Sequence, residues 1–299
     1  MQRRITFILC IGLIIGLFFL NTQYTFTSGI AVDNAVLEEI LKRCALCCED
    51  LESAALFYVC KEKVKEEIVI KQEIRIGTNI TPAVKEINSY IYDYQLIRKG
   101  DKFEEKRILI EENGKKKSIK DASMKTKRFF SERSIYGPVG FLSKDSQRRY
   151  NYKLLKEDKL DKRKAYVIEA VPITKMKEKP NYGKLWVDQE NFSILKIEIA
   201  QDSLVGFEEV RKKIQEQLGS RRRAHRYKIT PIFKIVHHYG VVKNGIRFPI
   251  ETIFEESYRI YSSKDMRSDM YHRSSATIKY YDYRFFIVDT KVKYNCEEN

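Results

Sequence analysis

Residues 182–199 read "YGKLWVDQENFSILKIEI", and their alternation decides the fold. Leu185 and Val187 fall on one side of an extended strand, and Leu195, Ile197 and Ile199 fall on the matching side of a return strand, while Lys196 and Glu198 point away. The polar break from Asp188 to Asn191 joins the two. The pattern predicts an antiparallel hairpin with one buried and one solvated face. Trp186 is the single tryptophan of the chain. It alternates with Lys184 and Asp188, which predicts an outer-face or rim position opposite Leu185 and Val187.

The same period of two recurs along most of the chain. Tyr90, Tyr92, Tyr94 and Leu96 share one face of a strand, in a hairpin unit closed at Glu112-Asn113-Gly114. "YNYKLLKEDKLDKRKAYVIEAVP" is a further hairpin with a charged turn around Asp158 to Lys162. Phe233, Ile235, His237 and Tyr239 alternate on one strand. On the next, Ile246, Phe248, Ile250, Thr252, Phe254, Glu256, Tyr258 and Ile260 occupy one face, and Asn244-Gly245 supplies the turn between the two. Helical spacing appears in three places: residues 33–53 ("DNAVLEEILKRCALCCEDLES"), a short stretch opened by Gly137-Pro138, and residues 203–219, where Phe207, Val210, Ile214 and Leu218 form a stripe. This order predicts an α+β protein, a large curved antiparallel sheet or half-barrel whose concave face the helices cover. A sheet of that kind encloses an apolar space of the sort that receives hydrophobic ligands.

Arg3 and Arg4 precede an apolar run from Ile5 to Leu20 and then a polar stretch ending in small residues. This is the layout of a secretory signal peptide, 1–31, with cleavage expected after Ala31 and an uncleaved N-terminal anchor as the alternative. Residues 32–299 are then expected to form one domain, with 203–219 as an inserted helix. The formal charge is +15, yet lysines alternate with acids ("KEKVKEE", "GDKFEEKR") as on solvated faces. Export argues against nucleic acid as the partner of this basicity and for an anionic membrane surface.

Five of the six cysteines lie beyond the signal segment. "CALCC" lacks the second C-x-x-C or H-x-x-x-H that would complete a zinc site, and an oxidising compartment permits a structural disulfide. Cys48 to Cys60 is the expected pair, with Cys44 to Cys60 the second choice. Of the histidines at 225, 237, 238 and 272, His237 and His238 are adjacent on a strand and so face opposite ways. No H-E-x-x-H, G-x-S-x-G or phosphate-cradling glycine loop occurs. The reading is a non-enzymatic protein with no catalytic constellation, metal or cofactor.

The hydrophobic-Trp-hydrophobic-Asp strand, turn and return strand of residues 182–199 resemble the motif of the outer-membrane lipoprotein-sorting family, the periplasmic Lol-type carriers and their RseB-like sensor relatives. "VVKNGIRFPIETIF", with Gly245 and Pro249, is similar to that family's later strand, and "IKYYDYRFF" to its closing strand. The resemblance implies a periplasmic half-barrel closed by a helical lid, whose apolar cavity receives the acyl chains of a lipid or acylated protein without chemistry. Inward candidates for that lining are Leu185, Val187, Leu195, Ile197, Phe233, Ile235, Phe248, Ile250, Phe254 and Tyr258, each equally explained as sheet core. The alternative is an interaction or sensor module of the same fold, filled by its own side chains, whose partners are envelope proteins.

Overall fold

The computed structural model describes residues 34–53, 58–71, 84–99, 102–129, 137–173, 180–204, 207, 211–212, 227–264 and 266–285. The expected signal segment 1–31, most of the 203–219 helix, His225, Cys10 and Cys296 lie outside the described residues. The chain divides into two units, residues 1–43 and 44–299, and the second holds the sheet.

Eleven strands make that sheet: β1 (Tyr58–Lys71), β2 (Val84–Lys99), β3 (Lys102–Glu112), β4 (Lys115–Ile119), β5 (Tyr150–Leu160), β6 (Arg163–Pro172), β7 (Gly183–Asp188), β8 (Ile194–Ile199), β9 (Tyr227–Lys243), β10 (Ile246–Ser262) and β11 (Arg267–Phe285). Their order is β4-β3-β2-β1-β11-β10-β9-β8-β7-β6-β5. Every pairing is antiparallel. The fold is therefore the expected α+β class, with one large open antiparallel sheet. Helices among the described residues include α1 (34–53), α2 (Gly137–Leu142) and α3 (Lys144–Gln147), with a 3-10 turn at Gln201–Ser203 and helical positions at 207 and 211–212. Among the described residues no helix is long and apolar enough to cross a membrane.

Turn chemistry sets the hairpins. Asn113 and Gly114 have φ of 49° and 78°, and Asn244 and Gly245 have 51° and 78°. Two successive left-handed residues form the tight turn whose twist matches the strands it joins.

The strand order has one large consequence. β4 and β5 follow each other in sequence but stand at opposite edges of the sheet. Ten neighbour spacings of about 4.8 Å would put them roughly 48 Å apart if the sheet were flat. The chain between them must cross the sheet, and it crosses on the buried face, first as a strap of residues 121–129 and later as α2 and α3. The strap lies over β1, β2 and β10, and α2 begins against β8 and β9. A Cβ added at Gly137 would stand 2.7 Å from the Tyr239 hydroxyl and 3.4 Å from Ile197 Cδ1.

Strand alternation on the buried face follows the sequence reading in β2, where Tyr90, Tyr92, Tyr94 and Leu96 are all buried. Three expectations are corrected. A bulge between Trp186 and Val187 leaves Leu195 unpaired, so Leu195 packs with Ala165, Val167 and Trp186 on the other face from Ile197. Bulges flanking Pro249 leave Ile250 unpaired, and it is 38% exposed. The outer face at β7 is not wet: Trp186 is only 8% exposed. Its indole Nε1 donates to Asp158 Oδ2 at 3.1 Å, and Lys196 Nζ lies 3.9 Å from the ring centroid.

Candidate binding face

The buried face of β1, β2, β3, β10 and β11, beside the strands β7 to β10 that carry the expected apolar lining, holds charge. Glu62, Glu66 and Glu256 are 0%, 0% and 1% exposed. They fall in phase with the inward residues Tyr58, Cys60, Val64 and Ile68 of β1 and Phe254 of β10, so regular alternation points them into the protein. An unpaired buried carboxylate is costly, and each of the three is accounted for.

Arg107 of β3 grips Glu62 through two parallel bonds and gives its third nitrogen to Glu105 Oε2 at 3.0 Å. Tyr94 donates to the other Glu105 oxygen at 2.9 Å, and the guanidinium sits 5.0 Å from the Tyr94 ring centroid. Complete burial pushes the Glu62 carboxyl upward while the Arg107 guanidinium pulls it down. Charge-assisted, forked bonds of this kind are the strong ones.

The strap covers the other two acids. The backbone N–H groups of Lys127 and Arg128 both donate to the Glu66 carboxylate at 3.0 Å. Arg128 forks onto Glu256 with Nε and Nη2 each at 2.6 Å. Tyr258 and Ser274 add hydroxyl bonds to the same carboxylate at 2.5 and 2.8 Å. Burial would push Glu256 up, but these donors outweigh it and its carboxyl lies below the ordinary value. Lys125 N–H donates to the Tyr92 hydroxyl at 3.0 Å, Lys125 Nζ reaches Glu112 at 3.2 Å, and Lys127 Nζ pairs with Glu86. Phe129 then stacks on Phe254 with centroids 5.5 Å apart.

The sequence-named lining residues are dispersed under these covers. Leu185, Val187, Ile197 and Phe248 are fully buried and Phe254 is 2% exposed. Ile197 lies beneath α2, Phe248 beside Tyr58 and Tyr283 with both centroids 5.0 Å away, and Phe254 beneath Phe129. Phe233 meets Phe207 at 5.7 Å. Ile235 and Tyr258 are half-buried, and Tyr258 spends its hydroxyl on Glu256. Leu195 and Ile250 stand apart, as described above.

His237 and His238 do face opposite ways: His237 is buried with Nδ1 2.9 Å from the Thr252 hydroxyl, and His238 is half-buried. Burial and the neighbouring His238 hold His237 down at about 4.

The expected disulfide is corrected. Cys44, Cys48 and Cys60 are free thiols. Cys60 is directed under β1 beside Glu62, Arg107 and Tyr283, whereas Cys48 sits with Cys44 and Cys47 on α1. The two therefore occupy different parts of the core. Residues 44–51 of α1 line a shallow cleft of about 520 Å³, counting its open mouth, with Asn191–Ile194 and Gly245–Arg247 opposite. Cys44 Sγ and Cys47 Sγ donate to the Phe192 and Asn191 carbonyls at 3.4 and 3.3 Å. In the same hairpin turn, fully buried Asp188 binds Arg163 and, at 3.2 Å, Arg247.

A family model described as "-like: Uncharacterized protein" matches residues 95–248, just over half of the 299 residues. The chain belongs to that family. The matched span of this family member starts in β2 and ends in β10, so it contains the strap, both short helices and the Trp186 hairpin. No curated protein matches the chain. Solved structures similar to it include three from bacteria. A DUF1329 family protein from Desulfovibrio piger shows 11% identity over 85% of this chain and 95% of that one, with a TM-score of 0.37. A putative outer membrane lipoprotein-sorting protein domain from Vibrio parahaemolyticus shows 10% identity over 85% and 96%, with a TM-score of 0.34. A LolA superfamily protein from Nitrosomonas europaea shows 12% identity over 84% and 94%, with a TM-score of 0.32.

Proposed function

We propose that this protein is an exported, periplasmic, non-enzymatic binding module that acts on a protein partner through a sheet whose inner face is filled. The observation that carries this is the closure of the inner face by ion pairs: the strap seals Glu66 and Glu256, and Arg107 seals Glu62, where an acyl carrier needs open apolar wall. Burying an acyl chain contributes about 0.8 kcal/mol per methylene. That gain is lost against carboxylates and guanidinium groups that would have to give up their partners. The two arginines and the apolar run at the N-terminus support export, and the overall charge of +15 favours partners of negative character on the outer surface.

Native mass spectrometry of the protein purified from envelope fractions, with a fluorescent fatty-acid titration, tests this reading. A lipid-free protein that leaves the fatty acid unquenched and retains one specific envelope protein in a pull-down is the expected result. Co-purified lipid with saturable fatty-acid binding would overturn it and restore the acyl-carrier function.

A further inference from the structure

Three features of the strap set it apart from an ordinary loop. Its cations meet acids in strand order across the sheet: Lys125 meets Glu112 of β3, Lys127 meets Glu86 of β2, and Arg128 meets Glu256 of β10, with Glu66 of β1 receiving the backbone between them. Its apolar anchors are Met124 and Phe129, both 8% exposed, while the Lys127 side chain is 57% exposed and that of Arg128 34%. The third feature is imperfect fit. Residues 122–126 make no strand pairing, and the Thr126 hydroxyl is buried without a hydrogen-bond partner, a cost that a better-matched segment would avoid.

We infer that the acidic track Glu112-Glu86-Glu66-Glu256 is a docking groove for an extended, basic polypeptide segment ending in an aromatic residue, and that residues 124–129 occupy it in cis until such a segment displaces them. The contacts the strap makes can be copied by another chain. Two are backbone N–H groups on Glu66, which any extended residue offers. Three are cation–carboxylate pairs, and one is an aromatic ring on Phe254. A protein carrying +15 overall has little reason to line up acids across four strands unless a cation-bearing segment lies there. A cis occupant lowers the apparent affinity for a partner by the fraction of time the groove is free, and its exit leaves two buried carboxylates, Glu66 and Glu256, without the donors that satisfy them, which favours an immediate replacement.

This inference rests on the binding-module reading. The probe is a fluorescent peptide copying residues 124–129, Met-Lys-Thr-Lys-Arg-Phe, with a control in which Lys and Arg are replaced by Glu. Peptide in excess over the wild-type protein should speed hydrogen exchange at the Lys127 and Arg128 amides that Glu66 holds, and the control peptide should not. A Lys127→Ala/Phe129→Ala variant keeps Arg128 on Glu256 and should bind the probe roughly tenfold more tightly than the wild type does. Unchanged exchange at these amides under saturating peptide would overturn the inference, and this readout needs no variant to fold. Two other results would also overturn it: dimerisation of the variant, with a second copy's strap in the groove, and binding of anionic vesicles but not of the probe. If a protein partner is retained while these amides stay protected, the groove inference falls and the binding-module reading stands; lipid co-purification removes that reading whatever the peptide does.

Discussion

Arg107 holds Glu62 in a forked pair, Nε to Oε2 at 2.6 Å and Nη2 to Oε1 at 3.1 Å, with side chains 8% and 0% exposed. Breaking such a pair strands a buried charge, whereas replacing both members by apolar groups removes the desolvation cost as well.

Arg107→Met alone should therefore destabilise the protein by about 3–5 kcal/mol, and Glu62→Leu/Arg107→Met should recover most of that loss. Glu105 keeps Tyr94 as a donor in the double variant. Urea unfolding of the two variants and the wild type measures this directly. A double variant as unstable as the single one would mean that the pair is a net stabiliser in its own right.

His237 makes stability depend on pH. It is held at about 4 in the folded protein and rises to about 6.5 when unfolded. Between these values only the unfolded chain takes the proton, so stability is complete above pH 6.5 and is lost as pH falls toward 4, by an amount on the order of 3 kcal/mol. His238 is lowered too, by partial burial and by Lys196 and Lys234, and adds in the same direction. Thermal melts of His237→Gln from pH 7 to pH 4 should show a shallower decline than the wild type. Parallel curves would remove this role.

Gly183 opens β7 where the β8 backbone leaves no room. A Cβ there would stand 2.0 Å from the Glu198 carbonyl oxygen and 3.0 Å from Ile199 Cα. Both are backbone atoms, and a paired strand cannot step aside cheaply. Gly183→Ala should cost about 3 kcal/mol, a fall in Tm of roughly 6–12 °C for a domain of this size. Gly140→Ala is the matched comparison, because nothing lies within 4 Å of its added Cβ and alanine is the better helix former. It should leave Tm unchanged or slightly raised.

Thiol labelling distinguishes the four cysteines of the described core. Cys44, Cys48 and Cys60 are 1%, 2% and 0% exposed. Burial pushes all three thiols well up, so little thiolate is available to react. Cys47 is half-buried at the cleft mouth. A maleimide on the native protein at pH 7.5 should modify Cys47 first, and the other three only with denaturant. Peptide mapping reads the order, and a Cys48–Cys60 crosslink recovered without reduction would contradict the free-thiol arrangement.

The strands were readable because side-chain direction in a strand is a local property. Tyr90 to Leu96 announce their inward face by spacing alone, as do Asn113-Gly114 and Asn244-Gly245 their turns. Leu195 and Ile250 were misassigned because a bulge shifts phase by one residue, and a bulge is set by the neighbouring strand. The candidate site was least legible. Glu62 and Glu66 recur in phase with Tyr58, Cys60, Val64 and Ile68, which is a signal of inward acids, but alternation with lysines reads as a solvated face. Their meaning depends on partners far along the chain: Arg107 is 45 residues from Glu62, and Arg128 is 128 residues from Glu256. The disulfide expectation failed for the same reason, because a compartment permits a bond that only three-dimensional placement can grant.

The pairing of β1 with β11 sets the timing of folding. It joins Tyr58 to Phe285 and Ile68 to Ser274 between the fourth and fifth strands of the sheet, while every other neighbouring pair is consecutive in sequence. Each flank can zip up as a local meander, but the seam between them closes only after residue 285 is available, and loop closure over so many residues is slow. Until then the β1 edge and its inward acids stay open, and that unpaired edge is the place where a half-folded chain would pair with another strand.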